Sequence, residues 1–428
     1  MKGKLVITSF YIFFSPIMLL VNGVKDRFLP FKKWSIIIFI TLYGSTMSIE
    51  SAYDGYRHYQ DVYDHYLNMS FNDYLNGLYN IITFKLNPGS QDVYKHTISY
   101  LVGSVFNAPY LFFVIVSFVY AYFFTSSILI VTRYFYQTKK TLLFLGFFFL
   151  FLLSKNVEGI NTVRTWTGMW ILVYACLKYY ELKRIRYILL MLVPPLVHVG
   201  YFIFIFPVLL FLFIGNRPYL FILILTLSIS ANFLEPPQVN NLFIQTEVGA
   251  QKAKGYTRNE LQSFNDIVEN KLETGSRLYS AFQKGGLQKI ALYFLVYTLV
   301  FSGIYLHKMN YYQKSIFSIG LLMLSFSNLF WFNYAVSNRS LIIATVFLLA
   351  SMLITWLNPI TTSLFHKPSG LLKMGLSTSL ILFIPNMINN LSALLDFPSI
   401  YLFFSPFLVW ANPSINLSIK EFIQFFLQ

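Results

Sequence analysis

Thirteen apolar runs, each close to the length that crosses a bilayer, constrain this chain more than any other feature. They cover 5–22, 34–49, 109–132, 141–154, 161–178, 187–199, 200–215, 218–234, 289–306, 315–333, 341–357, 371–388 and 398–412. A spanning helix needs about 20 mostly apolar residues, and fewer when polar flanks snorkel. Lipid offers the backbone no hydrogen bonds, so such runs read as helices. Only 11% of the 428 residues are charged, whereas a soluble domain carries about 25%. Disorder, coiled coil, collagen and disulfide scaffolds are excluded. The single cysteine, Cys176, excludes an intramolecular disulfide and any Cys-based zinc or iron–sulfur site. The chain reads as an all-α polytopic membrane protein, one multi-span domain over 1–428 with about 12–13 transmembrane helices. No A-x-A-like cleavage site follows Leu5–Leu20, so no signal peptide is expected.

The formal charge is +15. Its basic residues stand in small groups between apolar runs rather than in one patch, which points to topology and away from nucleic acid. Short loops on one side hold 17 Lys and Arg, among them Lys25, Arg133, Lys183 and Lys373, against 8 on the other. The positive-inside rule makes the richer side cytoplasmic. Lys2 and Lys4 fall outside, against that trend. Among the acids only Asp26, Glu181 and Glu421 fall on the cytoplasmic side. Two outer segments, 50–108 and 234–288, are too long to be simple connections. The second carries a capping box, Thr257-Arg-Asn-Glu260, then Leu261, Phe264, Ile267 and Val268 at helical spacing, so an amphipathic helix is expected there. Residues 92–107 read as an interfacial helix entering the next span.

Ionisable groups at a membrane edge are costly unless paired or used. Four clusters fit that description. After the second span, Asp54, Arg57, His58 and Asp61 share one face if the segment is helical; an aromatic belt with solvated charges would look similar. At the start of the fifth span, Asn161 and Arg164 face the same way, and Arg164 needs an anion, whether Glu158, a headgroup phosphate or a ligand. His198 follows Pro194-Pro195 at a helix break, as a base, a phosphate donor or an interfacial side chain. Arg339 opens the eleventh span with no acid beside it in sequence. Arg277 lies where the long loop re-enters the membrane. Arginines on one outer face suit a phosphate ligand, which guanidinium binds bidentately. No P-loop or Rossmann fingerprint is present.

The order of these features resembles EpsG-like and Wzy-type polysaccharide polymerases over roughly residues 1–350. The likeness rests on Asp54 with Tyr59 and Tyr63, on Asn161-Thr-Val-Arg164, on His198 after the following hairpin, and on the late Arg339. It implies a multi-pass glycosyltransferase of the bacterial inner membrane, acting on the periplasmic face. Its substrates would be undecaprenyl-diphosphate-linked oligosaccharide repeats, with a chain-length regulator as a partner and no cofactor or metal. Asp54 and His198 become the catalytic candidates, with Asp54 favoured as base. Arg57, Asn161, Arg164, Arg277 and Arg339 become substrate-binding candidates. The alternatives are a flippase for lipid-linked oligosaccharides, which should show related halves and midplane charges, and a transferase that decorates the polymer.

Overall fold

The computed structural model of the protein describes residues 9–47, 54–85, 92–138, 140–231, 286–331, 333–366 and 368–427. Among them the chain is helical, with no strand and one isolated bridge, Ser399 to Ser418. Four helices are long and apolar enough to cross a membrane: Pro109–Gln137, Leu142–Thr162, Ala335–Leu357 and Gly370–Leu395. That is the coarse architecture of an all-α membrane protein. The amphipathic helix expected after Thr257, the Glu260 of its capping box and Arg277 lie outside the described residues.

Prolines account for most departures from the thirteen runs. The run 5–22 is interrupted at Ser15, whose backbone (φ −166°, ψ 82°) is not helical. Pro16 follows it, and a proline ring disfavours the helical conformation in the residue before it. Pro194-Pro195 cuts 187–215 into Ile185–Met191, Pro194–Val197, Tyr201–Phe204 and Phe206–Ile214. The run 398–412, expected as the last span, is instead a 3-10 turn, Ile400–Phe403, and a six-residue helix, Pro406–Ala411. Conversely, 371–388 grows into a 27-residue helix, Gly370–Asp396, that continues through Pro385. The segment expected over 92–107 is the helix Val93–Tyr100 followed by a π turn, Leu101–Val105.

The chain divides into two compact units. Unit 1 is 1–133, 155–205 and 390–428; unit 2 is 134–154 and 206–389. In unit 1 the helices Leu29–Ser45, Phe112–Val131 and Thr165–Leu182 pack together. Trp170 and Tyr120 are fully buried between them. The Trp170 indole N–H donates to the Tyr120 hydroxyl at 3.0 Å, which donates to the Asn156 carbonyl at 2.5 Å. These buried polar atoms are thus satisfied, as burial requires.

The helix Thr165–Leu182 is 18 residues long, or about 27 Å at 1.5 Å per residue. Near its C-terminus Glu181 pairs with Lys178 at 2.9 Å and with Arg133. A second charged cluster, around Asp92 and Arg164, sits at its N-terminus, so the two sets of charges occupy opposite ends.

Unit 2 is built on a helical hairpin, Tyr311–Leu329 against Tyr334–Leu357. A complete capping box opens it: the Asn310 side chain accepts from the Gln313 N–H at 2.9 Å, and the Gln313 side chain accepts from the Asn310 N–H at 2.9 Å. The hairpin closes tightly because Gly320 faces Leu348; a Cβ on Gly320 would lie 2.7 Å from the Leu348 Cγ. Leu142–Ser154 and Pro218–Ser230 pack on its flanks.

Candidate functional site

The first element of the site is the helix Asp54–His65, which places Asp54, Arg57, His58 and Asp61 on one face as their spacing predicts. It is anchored by Asn161, whose Oδ1 accepts the Gly55 N–H at 3.0 Å. Only glycine permits that approach, since a Cβ at residue 55 would lie 2.4 Å from the same oxygen. Asn161, a substrate-binding candidate from sequence, is therefore occupied in holding this helix.

Along the helix the environment changes sharply. Asp54 and Arg57 form a 2.8 Å ion pair at the exposed edge, with side chains 56% and 67% accessible. One turn on, His58 is buried and its Nδ1 stands 3.9 Å from Asp61. Burial pushes the His58 imidazole down to about 4, and the Arg164 and Lys95 cations push the same way against the pull of Asp61. His58 is thus neutral at pH 7. Burial alone would raise the Asp61 carboxyl; the nearby His58 ring and the hydrogen bond and charge of Lys95 outweigh it and hold Asp61 at about 2. Lys95 is itself lowered by burial, with Asp61 opposing.

Lys95 belongs to the helix Val93–Tyr100, as does His96. The Tyr66 hydroxyl bonds His96 Nδ1 at 2.8 Å, and His96 Nε2 bonds the Tyr74 carbonyl at 3.0 Å. A carbonyl only accepts, so Nε2 carries the proton and Nδ1 accepts from tyrosine. Gly103 presses on Tyr66 as well, where a Cβ would lie 2.8 Å from the Tyr66 carbonyl oxygen. Through His96 and Gly103, Tyr66 fixes the two helices in register.

Asp92 is the centre of the cluster. It precedes the helix Val93–Tyr100 in the N-cap position but makes no side-chain cap bond. Its carboxylate is fully buried and reaches three partners far along the chain. Oδ2 accepts from the Arg164 guanidinium, and Oδ1 accepts from the Val199 N–H at 2.6 Å and from His198 Nδ1 at 3.3 Å. Burial would raise this acid, but His198, the Arg164 charge and the Val199 amide together hold it far below the usual carboxylate range. With Nδ1 donating to Asp92, the basic nitrogen of neutral His198 is Nε2.

Arg164 is aimed by an unusual turn. Val163 adopts φ 59°, ψ −50°, and the Arg164 N–H bonds the Thr162 carbonyl at 2.6 Å. That is a γ-turn of the positive-φ kind, rare and strained, and a β-branched residue is the least suited to it. Conformations of this kind cost about 1–3 kcal/mol and persist only where the surroundings dictate them. Here the Val163 side chain is 1% exposed, packed into the interior. Arg164 itself is 16% exposed, and its guanidinium uses one nitrogen on Asp92 while its other N–H groups have no partner among the described residues. Its sequence neighbour Glu158 is not the partner; Glu158 pairs with Lys155 at 2.9 Å.

No family model, no curated protein and no solved structure matches the chain.

Of the residues singled out from sequence, unit 1 brings together Asp54, Arg57, Asn161, Arg164 and His198. Arg339 belongs to unit 2, in the helix Tyr334–Leu357. Asp92 and Lys95 were not among the sequence candidates. Asp92 lies 72 residues from Arg164 and 106 from His198, so no local spacing links them. The signal in the sequence was an acid and a base three residues apart on a segment expected to lie at the membrane surface. Two carboxylates, Asp61 and Asp92, balance two fixed cations, Lys95 and Arg164.

Proposed function

We propose that the chain is a polysaccharide polymerase: a glycosyltransferase of about 12–13 spans that joins undecaprenyl-diphosphate-linked oligosaccharide repeats on the periplasmic face of a bacterial inner membrane. The observation that carries this is a single buried carboxylate, Asp92, holding both an arginine with unused donors and a histidine through its Nδ1. Glycosyl transfer from a lipid diphosphate needs those two groups. A hydroxyl of one repeat attacks the anomeric carbon of another, the bond from that carbon to the diphosphate oxygen breaks, and the hydroxyl proton passes to a base. Arg164 stabilises the departing diphosphate with planar, permanently charged donors. His198 Nε2 accepts the proton, and Asp92 orients the ring and stabilises the imidazolium.

This assigns the base role to His198 in place of Asp54, the residue favoured from sequence. Asp54 is exposed and engaged with Arg57, which suits a contact with the acceptor sugar beside Tyr59 and Tyr63. Those two hydroxyls lie 3.0 Å apart.

The test is polymer formation from purified lipid-linked repeats. His198→Gln should lower the rate by about 100-fold or more, and Asp54→Asn by less. The opposite ranking returns the base role to Asp54. Arg164→Lys keeps the charge but loses the fork and should also be severely impaired; a normal polymer ladder from Arg164→Ala would overturn the proposal. A deletion strain separates the alternatives: one repeat per lipid core means a lost polymerase, no repeats a lost flippase, and a full ladder of altered mass a lost decorating enzyme.

A further inference from the structure

The helix Phe71–Ile82, in unit 1, has three faces with three different surroundings. One packs on the helix that follows Asp92. There the Tyr74 ring stacks on His96 at 5.1 Å and on Tyr100 at 4.3 Å, and a Cβ on Gly77 would lie 2.5 Å from the His96 Cε1. A second face carries Asn72, Asp73 and Asn76, all exposed, as a surface in water should. The third carries Phe71, Leu75, Tyr79 and Ile82, whose spacing of three and four residues lines them up in one stripe. These four side chains are between 44% and 65% exposed. Large apolar side chains grouped in this way on a surface mark contact with something apolar.

Continuity and border chemistry identify that contact as lipid. Just past the helix, Phe84 adopts φ 59°, uncommon for a bulky side chain, and its ring meets Phe202 with centroids 5.8 Å apart. Both rings are exposed, and Phe202 belongs to the apolar helix Tyr201–Ile214, which holds no charged residue. The stripe therefore runs on into a surface suited to acyl chains. At its border stand Tyr79 and the exposed Lys85, and tyrosine and lysine both keep a polar tip at the headgroups while their apolar parts sink. The helix has 12 residues, about 18 Å of rise, against the roughly 30 Å needed to cross. We propose that Phe71–Ile82 lies along the membrane interface on the Asp92 side, with its stripe sunk among lipid acyl chains and its asparagine face in water. The helix Val93–Tyr100 is stacked on Tyr74, so the same seat sets the depth of Asp92 and Lys95. The proposal rests on the membrane reading of the chain and is independent of glycosyl transfer.

Site-directed spin labelling of the full-length protein tests it. The single native cysteine, Cys176, is fully buried, so cysteines introduced on the helix can be labelled one at a time, with wild type as the labelling blank. The set is Leu75→Cys, Tyr79→Cys and Ile82→Cys on the stripe, with Asn72→Cys and Asn76→Cys on the polar face. All five side chains are exposed, so the substitutions disturb no packed contact. The labelled proteins are reconstituted in vesicles of phosphatidylethanolamine and phosphatidylglycerol. Oxygen concentrates in lipid and a charged or hydrophilic nickel chelate stays in water. Collisions with oxygen should outnumber those with nickel at the three stripe positions, and the order should reverse at the two asparagine positions. Nickel dominating at all five positions would put the helix in water and overturn the proposal. Exclusion of both reagents from the stripe would mean that a second copy or a partner protein covers it, and would overturn the proposal equally.

Discussion

Asp92 shows how much one carboxylate can organise. Removing one partner of a buried ion pair leaves an uncompensated charge and costs about 3–5 kcal/mol. Asp92→Asn should therefore destabilise the protein by roughly that amount in denaturation experiments. The double variant Asp92→Asn/Arg164→Met should lose less than the sum of the single losses, by about 1–3 kcal/mol. Strict additivity would show that the two side chains do not interact in solution. A different signature belongs to His58. Its folded value of about 4 lies below the ordinary 6.5, so the unfolded chain binds more protons between those limits. Stability should accordingly rise with pH across that window, by about 3 kcal/mol in all. His96, also lowered by burial, adds the same sign. Melting curves of His58→Gln should show a visibly shallower pH dependence than wild type; parallel curves would rule out a buried neutral imidazole.

At the scale of elements, the contact of the π turn Leu101–Val105 with Tyr66, just past the helix Asp54–His65, is limited by Gly103. Adding a methyl group there forces the Tyr66 backbone away, and overpacking of this kind costs about 1–3 kcal/mol. Gly103→Ala should lower Tm, whereas the same change at Gly370, where a Cβ would enter open space with nothing within 4 Å, should leave it nearly unchanged. The helices themselves were legible in the apolar runs, and their breaks at Pro16, Pro194 and Pro406 follow from proline chemistry. What sequence could not supply was pairing. Asp54 and Arg57 meet because they are three apart, and helical spacing exposes such pairs directly. Asp92 meets Arg164 and His198 because three separate helix ends converge, 72 and 106 residues apart along the chain. The γ-turn at Val163 was equally hidden, since valine is among the residues least suited to that backbone.

For the whole molecule, the asymmetry of charge sets the proposed orientation. Reporter fusions at Gln91 and Thr257 should be active only with a periplasmic reporter, because the short loops of the other side hold 17 of the basic residues. Cytoplasmic activity at both positions would invert the topology and move the Asp92 cluster to the wrong side for periplasmic chemistry.

The described residues of unit 2 hold no Asp or Glu, and this shapes how they respond to acid. Acid unfolding proceeds largely by protonating carboxylates that are paired in the native state. Asp61, Asp92 and Glu181 in unit 1 are such groups, and the described part of unit 2 offers none. Each is held below its ordinary value, so its contribution fades as pH drops beneath the usual carboxylate range. Acid therefore acts on the two halves unequally. Amide hydrogen exchange at about pH 3, below the ordinary Asp value, should show the segments around Asp61 and Asp92 loosened while the hairpin Tyr311–Leu357 keeps its protection, so that acidification loosens the ion-paired cluster of unit 1 and leaves the hairpin standing.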